Sequence, residues 1–125
     1  MTTRFVLLRH EVPADYPRGD HWDLLLERGE MCWTWALDKL PGRLSSDAGP
    51  DEVDAVRLND HRKHYLQYEG PVSENRGSVQ RVLEGVCEWL EIADDRIEVR
   101  LVHSGNGCAV QLQHISDDHW ILATQ

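Results

Sequence analysis

The sequence predicts a mainly β fold, a small antiparallel β-barrel with short helical turns. Three observations carry it: many short apolar segments of strand length, glycine-rich turns between them, and a C-terminal hairpin that alternates well. Short strands joined by such turns pack as a barrel or a sandwich.

Phe5 to His10 reads as the first strand and His21 to Glu27 as the second. Arg28-Gly29-Glu30 supplies a turn, and Met31 to Leu37 a third strand bearing Trp33 and Trp35. After a loop from Pro41 to Asp51, Val53 to Leu58 gives a fourth. A second loop, Gly70 to Gly77, precedes Ser78 to Leu83 and Val86 to Ile92. Glu84 to Ala93 also admits a short helix, since Val86, Trp89 and Leu90 fall at helical spacing. In Arg96 to His103, Ile97, Val99 and Leu101 share one face, with Glu98 and Arg100 on the other. Ser104-Gly105-Asn106-Gly107 turns the chain into Cys108-Val110-Leu112, and Trp120 to Ala123 follows. Trp33, Trp35, Trp89 and Trp120 are expected in the barrel core.

A chain of 125 residues forms one domain, here residues 1–125, with room for a modest core. No apolar run is long enough to span a bilayer, and the first residues do not read as a signal peptide. Cys32, Cys87 and Cys108 are odd in number and lack Cys-x-x-Cys spacing, which argues against a disulfide framework and fits a cytoplasmic location. The net charge of −9 argues against a non-specific duplex binder, because phosphate neutralisation needs a basic surface. It leaves room for an enzyme that engages only a strand end.

The chemistry concentrates in His10, His21-Trp22-Asp23, Asp60-His61 and Tyr65. Successive side chains of a strand alternate between faces, so His21 and Asp23 share one face while Trp22, Leu24 and Leu26 form the apolar other. A histidine and a carboxylate two apart, with a second histidine ending the neighbouring strand, hold a divalent ion from one side and leave the other open. The plain alternative is a solvated polar strand face. His61 and Tyr65, four apart, share a face in a strand or a helical turn. His64 reads as surface, and His103, His114 and His119, which have no partners at telling spacing, read as structural.

These motifs, in this order, together with Trp35-Ala36-Leu37-Asp38-Lys39 and Glu69-Gly70, resemble the 3′-phosphoesterase domain at the N-terminus of bacterial DNA ligase D. The resemblance covers roughly the first two-thirds of the chain. It implies a small β-barrel with a manganese-dependent site that removes 3′-terminal ribonucleotides and 3′-phosphates from DNA or RNA-DNA ends, leaving a 3′-hydroxyl. It implies Mn²⁺ on His10, His21 and Asp23, action at the phosphate by His61 and Tyr65, and a phosphate contact at Lys39. Arg57 and Arg76 are further phosphate candidates. No polymerase or ligase segment is expected within the chain, so a ligase or end-joining partner would be separately encoded.

The departures are specific. The family's second strand usually reads His-Tyr-Asp-Leu-Arg-Leu-Glu, and Leu25 stands where the arginine belongs. Leu8 replaces a glutamine, Val53 stands at a usually basic position, and Glu11 to Asp20 lengthens the gap between the first two histidines. A leucine cannot replace a bidentate phosphate ligand, so either activity is weak or Arg57 or Arg76 substitutes, and Leu25→Arg is expected to raise the rate where no substitute exists. Two other readings remain: a non-catalytic module binding a nucleic-acid end or a protein, and a non-haem Fe(II) oxygenase whose distant ligand is His61, His103 or His114.

Overall fold

The computed structural model describes residues 1–44 and 49–124. Residues 45–48 of the Pro41–Asp51 loop lie outside the described residues. Strands β1 (Thr2–Glu11), β2 (His21–Arg28), β3 (Met31–Leu37) and β4 (Glu52–Arg62) form one antiparallel meander. After the two-residue β5 (Gly70–Pro71), strands β6 (Ser78–Ile92), β7 (Arg96–His103), β8 (Asn106–Ser116) and β9 (His119–Thr124) form a second. Pairing of β4 with β9 and of β1 with β6 closes these eight strands into a barrel, while β5 adds only to the start of β6. Two 3-10 turns, Gly42–Leu44 and Lys63–Leu66, interrupt the β structure.

The helical alternative at Glu84–Ala93 does not occur: β6 is a strand from Ser78 to Ile92. Val86 and Leu90 are exposed, whereas Trp89 packs on the core, so the spacing that suggested one helical face spans two faces of a strand. Glu84 and Gly85 pair with Val6 and Phe5, which makes the two expected strands one. At Gly85 a Cβ would collide with the Val102 carbonyl, so only glycine admits this close approach of β6 to β7.

All eight barrel strands fill the interior, among them Phe5 and Leu7, Leu24 and Leu26, Trp35 and Leu37, Ala55, Cys87, Val99, Val110 and Leu122. Trp35 meets Trp120 edge-on at 5.6 Å, and Trp33 meets Trp89 at 5.5 Å. The runs Phe5-Val6-Leu7-Leu8 and Leu24-Leu25-Leu26 are buried on both faces, which explains why they read as continuous apolar stretches. Their outward members Val6, Leu8 and Leu25 join Cys32, Leu66 and Val79 in a second cluster, with Tyr65, Tyr68 and Val72 against it. The segment between β4 and β6 thus roofs the outer wall made by β1, β2 and β3.

Two register shifts shape this wall. On β4, Thr34 faces Leu58 and Cys32 faces His61, so one extra residue lies between Leu58 and His61. A bulge of this kind reverses the alternation beyond it and turns His61 outward, to the face of Cys32. On β6 the shift at Val82, between the Leu7–Leu83 and Leu8–Arg81 pairs, turns Val79 to the outer cluster while Leu83 stays with the core.

Candidate metal centre

His10 and His21 are directly opposite each other on β1 and β2, and Leu8 is opposite Asp23. Facing residues of an antiparallel pair project to the same side, and so do His21 and Asp23, two apart. All three side chains leave the outer wall, where His10, His21 and Asp23 are buried. One ligand atom from each lies within 4.8 Å of the others. His10 Nδ1 is 3.4 Å from Asp23 Oδ2, and His21 Nε2 is 3.1 Å from Asp23 Oδ1.

Backbone carbonyls fix both rings. His10 Nε2–H donates to the Arg76 carbonyl at 2.7 Å, and His21 Nδ1–H donates to the Gly19 carbonyl at 2.8 Å. A carbonyl only accepts, so in the neutral ring the remaining nitrogen of each histidine presents a lone pair toward Asp23. Three acceptors then meet at one point, and buried Asp23 Oδ1 has no hydrogen-bond partner among the described residues. Such a set requires a cation or a shared proton between its members, and a histidine whose outer nitrogen is held by a carbonyl is the usual metal-ligand arrangement. The donors fit a divalent transition metal: two imidazoles and one carboxylate, all on one side.

Without an ion, the charges compensate through protons. Burial acts most strongly on Asp23 and pushes its carboxyl up, but the two imidazoles together outweigh it and hold the pKa at about 2. The hydrogen bond with Asp23 raises the His10 pKa above its ordinary value, against the opposing effect of burial.

The triad lines a cleft of about 410 Å³ together with His61 and Tyr65. His61 Nδ1–H donates to the Asn59 carbonyl at 2.9 Å, which leaves Nε2 to be presented. The His61 and Tyr65 rings lie 5.8 Å apart. Arg76 also lines the cleft, and its guanidinium donates to the Ser73 carbonyl and hydroxyl at 2.9 and 3.1 Å. Lys39 and Arg57 are not among the cleft-lining residues. Lys39 is exposed just beyond β3. Arg57 faces Trp35 on the interior side of β4, with its guanidinium 4.5 Å from that ring and 3.3 Å from Asp60 Oδ1. A residue at that register position projects away from the cleft.

Leu25 has no exposure and shares the outer face with Asp23. The position is therefore closed: it belongs to one buried apolar cluster with Leu8, the other leucine standing where the resembling family is polar.

Three further cleft residues carry useful chemistry. Tyr16 and Arg18 come from the Glu11–Asp20 insertion, with the Tyr16 ring 6.1 Å from His10, and Arg62 follows His61 with its guanidinium 5.9 Å from the Tyr65 ring. Asp20 anchors the insertion, accepting from the Val12 amide at 2.8 Å and pairing with Arg9 at 3.7 Å. The presence of an aromatic and a cation inside an insertion between two ligand histidines was the available sequence signal. No helix among the described residues is long and apolar enough to cross a membrane. No protein-family model and no curated protein sequence matches the chain.

Proposed function

We propose that this chain is a divalent-metal-dependent 3′-phosphoesterase that trims 3′-terminal ribonucleotides and 3′-phosphates from DNA ends, as its resemblance to the ligase D domain implies. The observation that carries the reading is the convergence of His10, His21 and Asp23 in a cleft that also receives His61, Tyr65 and Arg62. His10 Nδ1, His21 Nε2 and Asp23 would hold the ion, Mn²⁺ by the resemblance, which when bound supplies Lewis-acid polarisation of a phosphoryl oxygen.

The chain's own groups do the rest. The Arg76 and Gly19 carbonyls keep the two ligand rings oriented. His61, anchored through Nδ1, offers Nε2 to the phosphoryl group, where in its protonated form it donates to developing negative charge or protonates the departing 3′-oxygen. Tyr65 supplies a hydroxyl beside it. Arg18, Arg62 and Arg76 line the cleft with Asp23 and Asp60, an excess of one positive charge in a chain whose net charge is −9. Attraction of phosphate is therefore local, which suits a strand end better than a length of duplex. Lys39 and Arg57 have no part in this proposal.

The same donor set also suits a non-haem Fe(II) oxygenase, so one experiment separates the readings. Metal-stripped protein is given Mn²⁺ and an oligonucleotide ending in a 3′-phosphate, and phosphate release is followed; O₂ uptake is followed in parallel with Fe(II). Phosphate release without O₂ uptake is the expected result. Uptake of O₂ alone identifies the oxygenase, and neither reaction identifies a non-catalytic module.

A further inference from the structure

The Lys63–Leu66 turn separates the metal cleft from a second groove of about 380 Å³, lined by Arg4, Lys63, His64, Gln67 and Tyr68. A run of rings connects the two. His61 and Tyr65 belong to the cleft; Tyr65 lies 5.1 Å from His64, and His64 lies 4.7 Å from Tyr68 with the planes 34° apart. His64 is exposed, so the packing of the outer cluster does not account for it. The Tyr68 ring is fixed, because its hydroxyl donates to the Pro71 carbonyl.

Charge supports an anionic ligand. Arg4 and Lys63 both pair with Glu27, at 3.6 and 3.4 Å. Of these three groups one positive charge is left unmatched. Aromatic faces bordered by such cations are the elements of single-strand recognition: bases stack on the rings and phosphates meet the cations.

We infer that this groove is a stacking subsite for unpaired nucleotides of single-stranded DNA or RNA, His64 and Tyr68 taking a base while Arg4 and Lys63 meet the adjoining phosphate. The placement of these nucleotides 5′ of a terminus held in the cleft rests on the phosphoesterase reading; the stacking itself does not.

The test is fluorescence anisotropy with a 5′-fluorescein single strand of about eight nucleotides, within the site size of such grooves. The strand ends in a 3′-hydroxyl and the buffer contains EDTA, so neither metal nor turnover enters. Wild-type protein should bind this strand more tightly than an abasic strand of equal length, by about 5- to 150-fold for each stacked base. His64→Ala should lose affinity for the normal strand and narrow the preference between the two, and His64→Ala together with Tyr68→Ala should abolish it. Lys63→Ala should reduce the slope of log K against log salt by about 0.7, the loss of one phosphate contact. Equal binding of the normal and abasic strands by wild-type protein would overturn the inference, whatever the fate of any variant. Base-dependent binding without phosphate release in the Mn²⁺ assay would reject the phosphoesterase and leave the groove standing.

Discussion

At position 25, where the resembling family carries arginine, a leucine side chain is packed without exposure among Val6, Leu8, Cys32 and Leu66. Leu8 stands where that family has glutamine, so the two substitutions make one apolar floor beside the triad rather than two separate losses. Leu25→Arg, expected from the sequence to raise the rate where no substitute exists, should instead overpack this apolar layer and destabilise the fold by about 1–3 kcal/mol in denaturant unfolding. The sequence could not show this, because the residues that cover Leu25 arrive from the distant β4–β6 connection. The triad was legible, since alternation alone places His21 and Asp23 on one face. In metal-free protein its ionisation governs stability with two opposite signs. Asp23 falls from 3.8 to about 2 on folding, so its contribution is present above pH 3.8 and lost as pH falls through about 2. His10 is raised above 6.5, so its contribution is present below 6.5 and lost as pH rises through the raised value. Thermal melts in EDTA should therefore show the triad's stabilisation greatest at about pH 4–6.5.

Elements place what residues supply. The extra residue between Leu58 and His61 reverses the face of His61, and without it the imidazole would project toward the interior side that Arg57 occupies. Period-two reading puts Arg57, the nearest cation on that strand, on one face with His61 and does not locate such a bulge; in the structure the two stand on opposite faces. His61→Ala should lower phosphate release by about a hundred- to ten-thousandfold, the usual contribution of a positioned acid–base group. Mn²⁺ affinity should stay unchanged, because His61 lies outside the triad. The loop before β6 is the other positioning element, since the Arg76 carbonyl holds His10. Next to it, Gly77 has φ of +87°, and a Cβ there would collide with the Glu11 carbonyl. Gly77→Ala should displace this carbonyl and weaken Mn²⁺ binding by about 10- to 100-fold, as loss of an outer-shell partner does. Calorimetric titration of that variant checks it.

On the scale of the whole molecule, the barrel interior is filled by apolar side chains from all eight barrel strands, and the polar chemistry lies on its outer wall. The barrel class was legible from strand count and turns, whereas the second buried layer was not, because one alternating pattern cannot reveal a cover supplied by a loop. That cover changes what the triad is: His10, His21 and Asp23 on an open sheet face would be solvated, but under the β4–β6 segment they are three buried acceptors without a donor among them in the neutral state. The proposed divalent ion would satisfy them. Its most direct test is isothermal titration of metal-stripped protein with Mn²⁺ at neutral pH, beside Asp23→Asn. One saturable ion per chain is expected in the wild type and none in Asp23→Asn; no saturable binding, or equal binding by both proteins, would rule out the metal centre.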